Sequence, residues 1–244
     1  MASGPALSID ISAKRFAGAS QPLLADLELA IAPSSVVALV GPSGVGKSSL
    51  LRIIAGIDTA FSGDVLIAGV AAHQASTPGF VFQDPRLLPW LTAAHNIMAV
   101  DPAISAEVAQ AALARVGLAD AGALYPHQLS GGMQRRVALA RAFSVNARLL
   151  LLDEPFVSLD RTLVDEIQQL FLQLVAQTRP TVIFVSHLID DAARLADRAV
   201  LFDGRPAQIV ADIALPIPPA QRDDATLTDY RAQLDAAGRQ PYSV

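Results

Sequence analysis

The sequence predicts an α/β fold in which a mostly parallel core sheet is joined to an N-terminal antiparallel β layer and a helical subdomain. Strand-like runs alternate with helical segments along the chain, which favours parallel strands connected by helices. Hydrophobic residues make up 52% of the 244 residues, which predicts a large core and excludes a mainly disordered chain. The longest charge-free stretches, 29–46 and 65–83, are interrupted by Pro, Gly, Ser or Gln. Neither therefore supplies the roughly 20 consecutive apolar residues of a transmembrane helix.

The elements are predicted from hydrophobic periodicity. Residues 7–11 and 27–31 predict strands of the antiparallel layer, and the continuous apolar run 36–40 is typical of a buried strand. Further strands are predicted at 64–68, 79–82, 149–153, 181–185 and 199–202, the last of which completes the core. Helices are predicted at 47–55, 105–117, 132–145, 162–177, 188–196 and 224–237. The helix at 162–177 is expected to bury one face, formed by Leu163, Ile167, Leu170 and Leu174.

The chain is predicted to form one domain over residues 1–214. Its helical subdomain covers about 84–145, and residues 215–244 form a Pro-rich linker and a short helix.

Composition excludes several kinds of site and partner. The chain has no cysteine, which excludes disulfides, cysteine-zinc sites and thiol catalysis. Its first residues lack the basic and apolar regions of a signal peptide, so a cytoplasmic location is expected. The formal net charge of −5 argues against nucleic acid as a partner, because general nucleic-acid binders are usually basic.

The strongest motif is Gly41-Pro-Ser-Gly-Val-Gly46-Lys47-Ser48, which matches G-x-x-x-x-G-K-[ST] between a predicted strand and a predicted helix. Glycines let backbone N–H groups converge on phosphate oxygens, and a helix N-terminus adds positive potential. Lys47 can reach the β- and γ-phosphates, and Ser48 can ligate Mg²⁺. The alternative is a simple Gly-rich turn before a helix.

A second motif is the apolar run 149–152 followed by Asp153 and Glu154. Such an Asp can hold Mg²⁺ and such a Glu can act as a general base toward water. The alternative is a strand followed by an acidic turn.

A third motif, Leu129-Ser130-Gly131-Gly132-Met133-Gln134, opens a helix. It can form a second anion site at that helix's N-terminus. One nucleotide does not need two such sites, unless the second faces the nucleotide of another molecule. The alternative is an ordinary Ser N-cap.

Together these motifs resemble those of the ATPase subunits of ATP-binding cassette (ABC) transporters, over about residues 7–210. The resemblance implies a P-loop NTPase fold, with ATP and Mg²⁺ as cofactors. It implies that the Walker A loop is formed by Gly41, Pro42, Ser43, Gly44, Val45, Gly46, Lys47, Ser48 and Ser49. Asp153 is similar to the Walker B magnesium ligand, and Glu154 to the catalytic base.

Three further residues and one short segment take their roles only from this resemblance. Gln83 is similar to the glutamine that senses Mg²⁺ and the attacking water, which adds it to the metal set Ser48, Gln83 and Asp153. His187 is similar to the switch histidine at the γ-phosphate, although a satisfied strand-end histidine is the alternative. Ser158-Leu159-Asp160 resembles the D-loop, which crosses the dimer interface. Phe16 lies where the family has an adenine-stacking aromatic, although core packing is the alternative.

The segment 83–90, which reads QDPRLLPW, is similar to that of the nitrate/sulfonate/taurine group of importer ATPases. Leu87, Leu88 and Trp90 are expected either to dock a partner or to pack in the core of the helical lobe. The chain departs from the usual family pattern in its switch, where Leu188 and Asp191 replace acidic residues. Arg135 stands where Gln is usual, and it is expected not to touch the chemistry.

The resemblance implies an ATP-hydrolysing subunit that powers uptake of a small anionic solute. It would lie on the inner face of the membrane with a second ATPase subunit, as a homodimer, with permease subunits and, indirectly, with a solute-binding protein. Importers of thiamine precursors or bicarbonate, exporters, and soluble non-transport ABC ATPases are the alternatives. DNA-repair relatives fit poorly, because residues 50–128 leave no room for their coiled coil.

Overall fold

The computed structural model describes residues 4–145, 147–157 and 161–238. The strands in this part of the chain are β1 (Leu7–Lys14), β2 (Leu24–Ile31), β3 (Val36–Val40), β4 (Ser62–Ile67), β5 (Val70–Ala71), β6 (Gly79–Val81), β7 (Leu149–Asp153), β8 (Thr181–Ser186), β9 (Arg198–Asp203) and β10 (Gln208–Ala214). The α-helices are α1 (Lys47–Ile54), α2 (Ala93–Met98), α3 (Ala106–Arg115), α4 (Gly131–Ser144), α5 (Arg161–Thr178), α6 (Ile189–Leu195) and α7 (Asp224–Gly238).

The chain divides into two compact units. The first unit is Met1–Thr77 together with Pro180–Val244, and the second unit is Pro78–Arg179. Among the helices described, none has both the length and the apolar character that a membrane crossing requires.

The first unit contains the predicted antiparallel layer, in the strand order β2-β1-β4-β5. Burial alternates along β1, so that its apolar side chains share one face. The register places Leu7 opposite Ile31, Ile9 opposite Leu29 and Ile11 opposite Leu27, all of them buried. The alternation in the sequence therefore sets which face of this layer joins the core.

The same unit contains a parallel arrangement centred on β3. Val37 lies opposite Ile183 of β8 on one side and opposite Arg198 of β9 on the other. Every residue of β3 and β8 is buried, as expected for strands covered on both faces. β10 pairs antiparallel with β9. The prediction ended with strand 199–202 and missed β10, because none of its residues is fully buried and it lacks the apolar run of a core strand.

The second unit combines the parallel pair β6 and β7 with the helices α2 to α5. Its apolar cluster includes Ile97, Leu113, Val137 and Leu174. The predicted face of α5 is correct only in part. Ile167 and Leu174 are buried, whereas Leu163 and Leu170 are half-buried, and Gln168 and Phe171 occupy the other buried positions.

Helix α7 packs against α6 and β10 within the first unit. Its side chains Tyr230 and Leu234 are buried. The N–H of Ile217 donates to the Tyr230 hydroxyl over 3.0 Å. The segment that follows β10 is therefore held against the first unit through α7, which packs on α6.

Candidate functional site

The phosphate loop, residues 41–49, connects the buried end of β3 to the start of α1. Two of its glycines are required by close approach. A Cβ on Gly41 would lie 2.3 Å from the carbonyl oxygen of Phe202, and one on Gly46 would lie 2.7 Å from Leu24 Cδ2. Gly44, at φ 79°, has open space where a side chain would project. The loop is thus tightly packed at Gly41 and Gly46 and open at Gly44.

Lys47 is only 4% exposed. Its ammonium donates to the carbonyl oxygens of Gly41 at 2.7 Å and Pro42 at 2.8 Å. Gly46 is the N-cap of α1, and within the described chain no side chain caps this helix. The first N–H groups of a helix have no partner in the helix itself. A cation beside such amides, with glycines that leave room, fits a polyphosphate.

His187 follows β8 directly and is exposed. The buried hydroxyl of Ser186 donates to Asp191 Oδ2 over 2.6 Å and accepts from the N–H of Leu188 over 3.0 Å. The residues on either side of His187 are thereby held by one hydroxyl. The sequence analysis did not predict a role for Ser186. It noted Asp191 only as a departure from the family pattern and did not predict the bond between the two residues. The signal in the sequence is a Ser at the end of the strand followed by an acidic residue in the first turn of α6.

The structure brings the phosphate loop and His187 together. Gly41, Pro42 and His187 line a single cavity of about 250 Å³, whose wall also includes Asp203 and Asp235.

Phe16 follows β1 and is 52% exposed. The Lys14 ammonium lies 5.3 Å from the centroid of its ring. This exposure contradicts the core-packing alternative, because about half of the residue's surface remains accessible.

In the second unit, Asp153 ends β7 as a buried residue, and Glu154 follows it half-buried. Glu154 has φ 47°, in the left-handed region that non-glycine residues seldom adopt. Backbone in such regions persists where its surroundings hold it, and it is concentrated at functional sites.

Gln83 is exposed just after β6, at the start of the loop 84–92. The buried Asn96 orders this loop, because its amide donates to the carbonyls of Leu88, Leu91 and Thr92 over 3.0–3.1 Å. Arg141 of α4 donates to the carbonyls of Pro85 and Arg86. Burial lowers the pKa of the Arg141 guanidinium.

In the 83–90 segment, the structure supports core packing for Leu87 and leaves Trp90 accessible for docking. Leu87 packs on the apolar cluster of the second unit, as the lobe-core alternative predicts. Trp90 is 69% exposed, as a docking residue would be.

Residues 129–134, the third motif of the sequence and here called the signature segment, form the N-terminus of α4 and the residues before it. Ser130 is an exposed N-cap whose hydroxyl accepts from the N–H of Met133 over 3.2 Å. A Cβ on Gly132 would lie 2.7 Å from Leu163 Cδ2, whereas one on Gly131 would meet nothing. The Ser N-cap reading is therefore correct as geometry, and it is compatible with an anion approaching the open side at Gly131.

The predicted D-loop, Ser158-Leu159-Asp160, lies outside the described residues. In the described part of the chain, no group of three or more His, Cys, Asp or Glu side chains could hold a metal ion. The predicted magnesium ligands are not such a group. Ser48, Gln83 and Asp153 offer a hydroxyl, an amide and a carboxylate. Oxygen donors of this sort suit Mg²⁺, which keeps several waters and takes few protein ligands.

Comparison with known proteins agrees with these features. A family model described as ABC transporter matches residues 24–157. The chain is 40% identical to the aliphatic sulfonates import ATP-binding protein SsuB 1 of Xanthomonas axonopodis pv. citri, over 96% of this chain and 97% of that protein. It is 39% identical to the taurine import ATP-binding protein TauB of Chromobacterium violaceum, over 86% of this chain and 84% of that protein.

A solved structure of an ATP-binding cassette also resembles the chain. The chain superposes on the ATP-binding cassette MJ0796, solved as a dimer in a post-hydrolysis state bound to ADP and Pi, with a TM-score of 0.75. The two sequences are 29% identical, and the match covers 85% of this chain and 98% of that chain.

Proposed function

The chain belongs to the ABC transporter family and is an ATPase, and from this premise we propose that it powers the uptake of a small anionic solute, such as a sulfonate or taurine, through partner membrane subunits. The observation that carries the proposal is the phosphate loop, in which a buried lysine lies at the N-terminus of a helix that no described side chain caps.

In the proposed reaction, residues 41–49 bind the phosphates of ATP through backbone N–H groups, and Lys47 stabilises charge on the β- and γ-phosphates. Its ammonium exchanges the carbonyls of Gly41 and Pro42 for phosphate oxygens. Glu154 accepts a proton from the attacking water, and His187 contacts the γ-phosphate. Gln83 orients that water. Ser48, Gln83 and Asp153 would hold Mg²⁺, which would supply charge neutralisation for the phosphates.

The proposed working unit is a homodimer. Ser130, Gly131 and Gly132 face the nucleotide of the second ATPase subunit, so that ATP bridges two copies of the chain. ATP then favours the closed state, and loss of the γ-phosphate removes the bridge. The dimeric MJ0796 cassette with ADP and Pi supports this arrangement.

The proposed location is the inner face of the membrane, where the loop 84–92 docks on a permease and a solute-binding protein supplies the solute. The sulfonate and taurine import proteins support this assignment, and the exposed Trp90 supplies the docking side chain.

ATP hydrolysis by the purified chain and two variants tests the proposal. Lys47→Ala should lose nucleotide binding or turnover, because the phosphate charge is no longer neutralised. Glu154→Gln should bind ATP, lose turnover by a factor of about 10² or more, and elute as an ATP-dependent dimer in size-exclusion chromatography. Glu166→Gln is the matched control, since Glu166 is exposed in the same unit. Normal turnover in Glu154→Gln would show that Glu154 is not the base.

A further inference from the structure

We propose that Arg135 is a positioning residue for Glu154, because its guanidinium holds the backbone turn that carries this carboxylate. Through Arg135, the geometry of Glu154 is tied to Ser130–Gly132 at the start of the same helix. This inference rests on the proposed function, because it requires Glu154 to act as the base. It revises the expectation for Arg135, which does not touch the reacting groups but does act on the turn that bears one of them.

The contacts are two backbone carbonyls on one turn. Arg135 Nη1 donates to the carbonyl oxygen of Pro155 over 2.9 Å, and Nη2 donates to that of Val157 over 2.7 Å. A guanidinium presents its donors in a rigid planar fork. Both bonds can therefore form only while residues 155 and 157 keep one relative position.

The turn that is held begins at the strained residue. Glu154 has φ 47°, and the N–H of Val157 donates to the Glu154 carbonyl over a long 3.4 Å. Pro155 has no backbone N–H to contribute to the turn. A left-handed conformation at Glu154 persists only if its surroundings enforce it. The two bonds from Arg135, strengthened by its charge, supply such enforcement.

The other end of the link is the signature segment. Ser130 caps α4, and Gln134 donates to the carbonyls of Pro126 and Leu129 over 2.9 and 3.3 Å. Arg135 is the next residue of the same helix. The α4 N-terminus and the turn at Glu154 are thus linked through consecutive residues of one helix.

The electrostatic surroundings of Arg135 support the same link. Burial lowers the pKa of the Arg135 guanidinium, and the charge of Asp84 opposes that shift. Arginine remains charged in proteins at neutral pH. Asp84 follows Gln83, so the charge that holds the Glu154 turn also interacts with the loop of the proposed water-orienting glutamine.

The adjacent arginine has a different role and provides the control. Arg136 pairs with Glu166, and it donates to the carbonyl of Val116 over 3.3 Å. These contacts join α4 to α5 and to the end of α3. An Arg136→Gln variant therefore has the same charge change on the same helix, without loss of a bond to residues 155 or 157.

The test measures kcat for ATP hydrolysis and the Kd for ATP separately, using the purified full-length chain. Arg135→Ala should lower kcat about tenfold, the size expected for losing charged hydrogen bonds to one turn. Its Kd for ATP should stay within about twofold, because the phosphate loop is unchanged. Arg135→Lys should fall between Ala and the native chain, since an ammonium replaces only part of the fork. Arg136→Gln should keep both values within about twofold.

Millimolar guanidinium chloride provides a readout that a merely structural role would not change. It should restore part of the lost kcat to Arg135→Ala and leave Arg136→Gln unaffected. The inference is overturned if Arg135→Ala keeps the native kcat, if its Kd and kcat worsen in parallel, or if neither guanidinium nor Arg135→Lys restores activity. Should Arg135→Ala fail to fold, Arg135→Lys and Arg135→Gln decide the question by the same split between kcat and Kd.

Glu154→Gln, measured in parallel, separates the two proposals. If the native chain and Glu154→Gln hydrolyse ATP equally, Glu154 is not the base, and the inference falls with that part of the proposed function. If Glu154→Gln loses turnover while Arg135→Ala does not, the inference alone is wrong.

Discussion

A single hydroxyl, that of Ser186, holds the segment around His187. It donates to the buried carboxylate of Asp191 and accepts from the N–H of Leu188. Histidine therefore occupies the centre of a three-residue segment that is fixed at both ends. A backbone fixed in this way limits the positions that the exposed side chain can reach, which is the kind of support that a functional group requires.

The first prediction at this scale is that Ser186→Ala lowers kcat about fivefold, because Leu188 loses its hydrogen-bond acceptor and the His187 backbone loosens. The Kd for ATP should change little, since the phosphate loop is not altered. Steady-state ATPase rates and a nucleotide titration check this.

Ser76→Ala is the control for that experiment, because Ser76 is an exposed serine in the same unit. Equal effects of the two substitutions on kcat would contradict a role for Ser186 in holding the switch.

A second residue-scale prediction concerns Lys14, which is buried and paired with Asp58. The Lys14 ammonium lies 2.6 Å from Asp58 Oδ2 and donates to the carbonyl of Ala60 over 2.9 Å. The hydrogen bond from Lys14 is the largest of the causes that lower the pKa of the Asp58 carboxyl. A carboxyl whose pKa is lower in the folded state stabilises the fold above its ordinary pKa. That contribution is lost as the pH falls through the lowered folded value.

Asp58→Asn should therefore lower the free energy of unfolding by about 2 kcal/mol at pH 7. The difference from the native chain should shrink as the pH falls below about 4, the ordinary carboxyl range. Urea unfolding at both pH values measures it. Asp64→Asn, at an exposed position, should show neither effect, and a difference that persists at low pH would refute the assignment to this ion pair.

At the scale of elements, Arg222 holds the chain between β10 and α7. Its guanidinium donates to the carbonyls of Ile217, Ala193 and Ala196 at 2.7 Å each, and to that of Leu215 at 3.1 Å. Burial is the main cause that lowers its pKa. Asp190 of α6 adds bonds to Arg194 and to Arg231 of α7. Helix α7 is therefore joined to the element that begins two residues after His187.

Arg222→Ala is expected to destabilise the fold by about 2 kcal/mol, because several carbonyls lose a charged donor. The loss should be local, so amides of α7 and α6 should exchange with deuterium faster while those of β1 to β3 keep their protection. Hydrogen–deuterium exchange measured by mass spectrometry checks this. Arg115→Ala, on an exposed face of α3, is the control. Unchanged exchange in α7 would show that its packing alone holds it.

The elements differ in how far the sequence predicts them. β3, β7 and β8 are short apolar runs whose full burial follows from composition alone. β10 is half-exposed and paired on one side to β9, and no local signal marks it. In α5, periodicity places the buried face near Ile167 and Leu174 but not its second row, because packing decides between Leu170 and Phe171.

The features of the candidate site also differ in how far the sequence predicts them. The motifs place the phosphate loop, Glu154 and Ser130 by spacing alone. The contacts of Arg135 with residues 155 and 157, and of Arg141 with residues 85 and 86, join positions 20 to 56 residues apart. Such pairings arise from tertiary structure, so one sequence contains the residue types but not the partners.

At the scale of the whole molecule, each unit contributes its own share of the proposed machinery. The first unit has the phosphate loop and His187, and the second has Gln83, Glu154 and the signature segment. Several arginines donate to backbone carbonyls inside one unit, as Arg135, Arg141 and Arg222 do. These arginines therefore hold the backbone within their own unit.

The last prediction concerns the partner of the exposed tryptophan. A Trp that is 69% exposed on a loop ordered by a buried asparagine is a rigid apolar anchor, the kind of residue that dominates interface energies. Affinity purification of the tagged chain from detergent-solubilised membranes should recover a polytopic permease and a solute-binding protein, identified by mass spectrometry. Trp90→Ala should reduce permease recovery at least about tenfold, the loss expected for an interface hot spot.

Ile57→Ala is the matched control, because Ile57 is 63% exposed in the first unit and lies in none of the proposed machinery. Both variants should keep the ATPase rate of the native chain when no permease is present, since neither side chain touches the phosphate loop. If Trp90→Ala recovers the permease at the native level, the docking surface lies elsewhere on the chain. Recovery of soluble complexes alone by the native chain would refute the transport assignment and leave the ATPase chemistry intact.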